Sequence, residues 1–319
     1  MTTKKIVLLG TGGTIAGQSA SSDNHIDYKA AQSGVDTLVA AIPNMIRSGE
    51  LICEQVAQID SKDMSFAIWT ALASRIQHYL SRDDVGGVVI THGTDTLEET
   101  AYFLQTVLSP LKPVVLTCAM RPATAAAPDG PQNILDAVSV ARLPAAGGVV
   151  VVCAGVVHSA LNVQKVHTMQ LDAFGSGDAG AFGTLQDGMF KSRSKWPLAD
   201  IKLAQSAPEN IAKLNCALDW PKVDIVMNYA GANGEIVDAL VALGAAGLVV
   251  AGTGNGTVHH TLEAALLRAQ AVGVQIVRAT RCVAGPVLAR ADDCLPAADG
   301  LSPVKARIAM MLKLMKIGA

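Results

Sequence analysis

Residues 87–108, GVVITHGTDTLEETAYFLQTVL, restrict the fold more than any other stretch, because a buried strand, a polar turn and a helix start follow one another without interruption. Val88 to Ile90 are β-branched and apolar on both faces, which suits a parallel strand covered by helices above and below. Thr91, His92, Gly93, Thr94, Asp95 and Thr96 come next, and Leu97, Ala101, Leu104 and Leu108 then recur at helical spacing. Thr96 with Glu99 fits a capping box at that helix start. In a parallel sheet, ligands bind beyond the carboxyl ends of the strands, where helix N-termini aim unpaired amide hydrogens outward. Chemistry is therefore expected at Thr94 and Asp95.

The same order of strand, turn and helix recurs along the chain. Residues 4–9, 56–59, 113–117 and 149–152 read as strands, as do 223–228, 247–251 and 274–279 in the second half. Helices are expected over 66–80, from Pro131, over 236–243 and 262–271, and from Ser302, with Asp63 or Ser61 capping the first of these. The pattern loosens after residue 190, through KSRSKWPLAD, so a linker is placed at 191–215 between segments 1–190 and 216–319.

A second turn of interest, Gly10-Thr-Gly-Gly-Thr-Ile-Ala-Gly17, follows the first strand. Gly12 and Gly13 permit dihedrals barred to other residues and let a ligand approach the backbone, while Thr11 and Thr14 place hydroxyls there. A dinucleotide fingerprint needs a glycine at the sixth position and a helix opening directly; Ile15 stands at that position and a Ser/Asn-rich loop follows. Residues 17–34 hold few apolar anchors and are expected to form a mobile loop over a site, with Tyr28 as either a packed anchor or a site residue. Gly252-Thr-Gly-Asn-Gly256 puts Asn255 at the end of another buried strand but lacks the Gly-Lys-Ser/Thr of a phosphate loop. Lys165, among Asn162, Gln164 and His167, reads locally as a solvated lysine.

Composition narrows the classes. With 319 residues, half of them hydrophobic, the chain can bury a substantial core without disulfides. A formal charge of -2 with no run of like charges argues against nucleic acid or an anionic membrane as partner. No apolar stretch reaches the length of a membrane span, and the chain enters an apolar strand at once with no secretory signal pattern, so a cytoplasmic protein is expected. Six scattered cysteines form no CxxC pair and no zinc spacing, so no metal is expected and the cysteines read as structural thiols.

Two threonine-bearing turns, an adjacent aspartate and several glycines that expose backbone amides form a nucleophile site. A threonine hydroxyl attacks only if a nearby group takes its proton. TGGTIAG at 11–17 and THGTDTLEETAYFL at 91–104 resemble the paired signature motifs of the bacterial L-asparaginases, the asparaginase/glutaminase amidohydrolases, and the similarity continues through AMRP at 119–122, DGPQN at 129–133 and GNG at 254–256. The resemblance implies two α/β domains, a larger N-terminal parallel-sheet domain with the active site and a smaller C-terminal one. It also implies a homotetramer built as a dimer of dimers, and no cofactor or metal. By motif position it implies Thr14 as nucleophile and Tyr28 as its proton-transfer partner, with Thr94, Asp95 and Lys165 as a second catalytic group. Asp95 would also hold the α-ammonium of L-asparagine and Ser61 its α-carboxylate. Backbone near Gly13, Gly93, Thr94 and Ala119 would line the substrate and stabilise the oxyanion, and Asn255 would join from the C-terminal domain.

Two positions depart from the family pattern: Lys62 follows Ser61 where glutamine or glutamate is usual, and Arg290 stands nearest to a glutamate that reaches the α-ammonium. Two cations facing the ligand would disfavour free asparagine and suit another ω-amide lacking a free α-amine. The alternative is that Lys62 points to solvent and the alignment at Arg290 has slipped. From other classes, a dinucleotide-dependent oxidoreductase or a non-catalytic metabolite-binding protein would also use glycine turns on a parallel sheet.

Overall fold

The computed structural model describes residues 4–19, 27–42, 50–143, 146–193, 196 and 200–318. The chain divides into two compact units, Met1–Asn215 and Cys216–Ala319.

In the first unit, β1 (Lys5–Gly12) is followed by a 3-10 turn at Thr14–Ala16, the short strands β2 (Gln18–Ser19) and β3 (Tyr28–Lys29), α1 (Val35–Ala40) and β4 (Leu51–Ile59). Then come α2 (Phe66–Leu80), β5 (Val85–Thr91), α3 (Leu97–Leu108), β6 (Pro113–Thr117), α4 (Gly130–Ala141) and β7 (Gly148–Cys153). Strands β4, β1, β5, β6 and β7 lie side by side and parallel. Every residue of β6 and β7 is buried, the outcome of helices on both faces, and this is why their sequences are unbroken β-branched runs. Side chains alternate between faces. Ile6, Leu8, Val89, Val115, Val150 and Val152 pack against α1 and α4 residues such as Leu38, Ile134 and Ala137. Helices α2 and α3 pack together through Trp69 and Phe103, whose rings stack at 4.9 Å.

Beyond β7 the sheet continues antiparallel through β8 (Val156–Ser159), β11 (Gly183–Gln186) and β12 (Met189–Ser192). Strands β9 (Gln164–Lys165) and β10 (Phe174–Gly175) form a separate two-residue ladder that carries Lys165. The unit closes with α5 (Ile201–Cys216). This helix stands where a linker was expected: Ala207, Asn210, Ile211 and Leu214 form a buried stripe at helical spacing, and Asn210 Nδ2 donates to the Val107 carbonyl at 3.0 Å. Pro208 inside the helix and the few strongly apolar residues hid that stripe.

The second unit is a three-stranded parallel sheet, β13 (Val223–Met227), β14 (Gly247–Gly252) and β15 (Gln275–Thr280), with α6 (Glu235–Ala242), α7 (His260–Ala271) and α8 (Pro303–Leu314). Its core gathers Val237, Leu248, Val250, Leu262, Leu266 and Ile276. Both units are α/β, as expected.

Local expectations need two corrections. The capping box at Thr96 does not form: Thr96 makes no side-chain cap, and its hydroxyl donates to the Ser61 carbonyl at 2.7 Å, so a tertiary contact replaces a local one. Neither Ser61 nor Asp63 caps α2, which starts at Ser65, whose hydroxyl accepts from Ile68 N. Of the expected mobile loop at 17–34, the described ends pair β2 with β3 antiparallel, and residues 20–26 lie outside the described residues.

Candidate active site

Strand order decides where a ligand fits. After β1 the chain moves to β4 on one side, and after β5 it moves to β6 on the other, so the adjacent ends of β1 and β5 form a topological switch point. The two threonine-bearing turns leave from those two ends. Thr11 belongs to the strand itself, its hydroxyl donating to the Thr91 carbonyl at 3.0 Å.

Glycine lets the turns meet. Gly13 has φ 80° and ψ -171°, a conformation reserved in practice for glycine. A Cβ on Gly13 would lie 2.3 Å from Gly93 Cα, and one on Gly93 would lie 2.4 Å from Ser61 Oγ. Three segments far apart in sequence therefore converge, Gly13 on Gly93 backbone to backbone and Gly93 on the Ser61 side chain, as the sequence implied.

Each turn presents a hydroxyl paired with an ionisable side chain. Thr14 is buried at the start of its 3-10 turn, and its Oγ1 lies 2.7 Å from the hydroxyl of Tyr28 on β3. Lys165 Nζ donates to Thr94 Oγ1 at 2.8 Å and to Asp95 Oδ1 at 2.7 Å. The side chains of Lys165 and Asp95 are 23% and 50% exposed, so water screens their attraction and the pair orients more than it stabilises. Asp95 N donates to Ser61 Oγ at 3.1 Å, leaving the Ser61 hydroxyl proton for another acceptor. Hydroxyls, a carboxylate and an ammonium thus converge where acyl transfer needs a nucleophile, a proton acceptor and an anchor for a charged substrate.

Several supporting residues carry no role in the sequence reading. Glu98 Oε2 accepts from Lys165 N at 2.8 Å and so seats the β9 strand against the start of α3. Asp129 accepts from Met120 N and Arg121 N, each at 2.9 Å, and Asn133 Nδ2 donates to the Cys118 carbonyl at 2.9 Å. These contacts hold the backbone around Ala119, which is fully buried. The signal was in DGPQN itself: Asp129 and Asn133 are four apart at a helix start and share a face. Cys118 and Cys153 are buried free thiols with their sulfurs 3.8 Å apart.

The two cationic departures lie differently. Lys62 is exposed and its Nζ bonds Asp60 Oδ2 at 2.9 Å, so its ammonium already has a partner outside the cluster. Asn255 and Arg290 belong to the second unit. Asn255 exchanges two hydrogen bonds with Leu288, Nδ2 donating to the carbonyl at 2.9 Å and Oδ1 accepting from the amide at 2.7 Å. That engages both ends of the side chain expected to meet substrate. Arg290 is exposed, and its backbone amide donates to Asp293 Oδ2 at 2.7 Å. The dinucleotide alternative loses its structural basis, because β1 ends in a 3-10 turn and extended Gly17, with no helix N-terminus there to receive a pyrophosphate.

Comparison with known proteins adds two family matches. The profile described as "Asparaginase, N-terminal" matches residues 5–197, and that described as "Glutaminase/Asparaginase C-terminal domain" matches residues 222–317. The chain is similar to L-asparaginase 2 of Bacillus subtilis, at 39% identity over 98% of this chain and 82% of that protein. It is also similar to a probable periplasmic L-asparaginase of Haemophilus influenzae, at 38% identity over 97% of this chain and 88% of that one. Among solved structures, a probable cytoplasmic L-asparaginase from Campylobacter jejuni superposes with a TM-score of 0.90 at 38% identity, covering 99% of this chain and 96% of that chain. Among the described residues no helix is long and apolar enough to cross a membrane.

Proposed function

The chain belongs to the asparaginase/glutaminase family, and from that premise we propose that it hydrolyses the side-chain amide of L-asparagine to L-aspartate and ammonia, with L-glutaminase side activity. The observation that carries the reading is the meeting of two hydroxyl pairs, Thr14 with Tyr28 and Thr94 with Lys165, on turns that touch at Gly13 and Gly93.

Thr14 Oγ1 attacks the carboxamide carbon while its proton passes to the Tyr28 oxygen, which in turn passes its own hydroxyl proton on to the amide nitrogen. The developing oxyanion is met by backbone amides at the Thr94 turn, the contribution that is usually largest in acyl transfer. The C–N bond breaks and ammonia leaves with the returned proton, so Thr14 carries an aspartyl ester. Water then attacks that ester and gives one proton to the Thr94–Lys165–Asp95 group at the Asp95 carboxylate; the ester C–O bond breaks, the remaining water proton returns to Thr14 Oγ1, and L-aspartate is released. Asp95 faces the α-ammonium and Ser61 the α-carboxylate. No step calls on a cofactor or a metal.

The test is ammonia release from L-asparagine, L-glutamine and N-acetyl-L-asparagine at matched concentrations. Turnover of L-asparagine ahead of the other two is expected. Turnover of the blocked amide alone would instead favour an ω-amide without a free α-amine. Only Arg290 then supports that alternative, since Lys62 bonds Asp60. Tight binding of L-asparagine with no ammonia would leave a metabolite-binding protein.

A homotetramer, a dimer of dimers, belongs to the same proposal. Leu161, Val166, Met169 and Leu171, which bracket Lys165, are all exposed, and a self-complementary partner face would cover them. Sedimentation velocity at micromolar concentration reads the mass of four chains if this is right and of one chain if it is not. Cytoplasmic residence is likewise a proposal, supported by the likeness to a probable cytoplasmic L-asparaginase.

A further inference from the structure

Behind the Thr94 turn lies a chain of hydrogen bonds that the reaction above does not use. Trp69 Nε1 donates to Thr100 Oγ1 at 2.9 Å, Thr100 Oγ1 lies 3.0 Å from His92 Nε2, and His92 Nδ1 lies 2.7 Å from the Gly93 carbonyl. Thr100 and His92 are fully buried and Trp69 is 4% exposed. Both ends of the chain fix its direction, since an indole N–H can only donate and a carbonyl oxygen can only accept. Thr100 therefore takes the indole proton and gives its own to Nε2. His92 is then neutral with its proton on Nδ1, and it donates to Gly93. Burial supports the neutral ring, pushing the His92 pKa down to about 4.

The bond to Gly93 has a consequence on the other side of the peptide. A trans peptide holds its C=O and N–H antiparallel, and the described chain contains no cis bond. With the Gly93 carbonyl drawn back to the buried ring, the Thr94 N–H points the opposite way, out of the core. That amide donates to no described residue. The His92 backbone cannot follow a tilt of the ring, because its amide donates to the Thr117 carbonyl of β6 at 2.9 Å.

We propose that His92 is a positioning residue for catalysis, which, held in one tautomer by Thr100 and Trp69, locks the Gly93–Thr94 peptide so that the Thr94 amide is preset to receive the oxyanion. The proposal rests on the amide-hydrolase reading of this site. A preset donor acts on the transition state more than on bound substrate, so losing the lock lowers kcat and leaves KM nearly unchanged.

Asparagine places its amide nitrogen near the position of Nδ1, and glutamine places its own near Nε2, so the two substitutions separate the two bonds. His92→Asn is expected to keep kcat within about threefold of the parent, whereas His92→Gln and His92→Phe lose roughly 10- to 100-fold with KM within about threefold. Thr100→Val, which frees Nε2 to take the proton, falls between them. Equal losses in Asn and Gln variants, or losses that follow the denaturation midpoints, would overturn the proposal. A readout independent of turnover is the 15N NMR signature of the His92 ring in the parent protein. Protonation at Nδ1 alone from pH 6 to 8 is required, and protonation at Nε2 overturns the proposal whatever the substrate is. Absence of ammonia release from every amide, with the Nδ1 tautomer intact, would discard the hydrolase reading and with it the catalytic role assigned to His92.

Discussion

Thr14→Ala is expected to abolish ammonia release from L-asparagine, with kcat falling by at least about 10^4-fold, because removal of the proposed nucleophile would leave only binding and oxyanion stabilisation. The choice of Thr14 over Thr94 follows from what each hydroxyl is bonded to. Thr94 Oγ1 accepts from the Lys165 ammonium, whose positive charge draws electron density from the oxygen and lowers its nucleophilicity. Thr14 Oγ1 faces a tyrosine hydroxyl, a group that can take its proton while passing its own proton on. Thr14→Ser keeps an attacking oxygen and should recover part of the rate. The fold should tolerate the alanine variant within about 1 kcal/mol, the net value of one hydrogen bond. Mass spectrometry of acid-quenched turnover should find the aspartyl ester on the peptide that contains Thr14. Retention of activity in Thr14→Ala together with loss in Thr94→Ala would exchange the two roles.

How much of this was legible depended on what each residue's signal is made of. The parallel strands were readable because burial on both faces forces unbroken runs such as Val149 to Val152. The antiparallel strands at 156–159, 183–186 and 189–192 were not, since strands of four residues show neither a run nor a long alternation. The site turns announced themselves through glycines that a Cβ would break, at Gly13 and Gly93. Thr14 and Thr94 were placed at the strand ends by those turns, but Tyr28 and Lys165 had no such local mark: Lys165 reads as solvated in its own segment, and only the family resemblance joined it to residues 71 and 70 positions away. Thr96 misled for the opposite reason. Its local sequence fits a cap, but the approach of Ser61 supplied a better acceptor. His92 gave no signal at all, because the direction of a buried hydrogen-bond chain depends on Trp69 and Thr100, which the sequence does not place beside it.

Lys165→Met should separate kcat from KM. Methionine keeps the unbranched apolar stem and removes the ammonium, so the substitution deletes the donor to Thr94 and Asp95 with little change in shape. Loss of a positioned proton-transfer group is expected to lower kcat by about 10^2- to 10^4-fold. KM should not rise. In the parent, the Lys165 ammonium shares Asp95 Oδ1 with whatever cation the substrate brings, and without it the carboxylate faces an α-ammonium unopposed. Asp95→Ala is the counterpart: it removes the anchor, raises KM and also lowers kcat, because Lys165 loses one of its two partners at the site. Stability decides little between them, since a half-exposed ion pair is worth about 0–1 kcal/mol. Steady-state kinetics on both variants, with ammonia followed through the first turnover, is the measurement. If water activation is the role of Lys165, the methionine variant releases close to one equivalent of ammonia per site in a burst and then slows, as the ester on Thr14 accumulates. A uniform slowing with no burst moves Lys165 to the first half of the reaction, and an unchanged kcat removes it from the chemistry altogether.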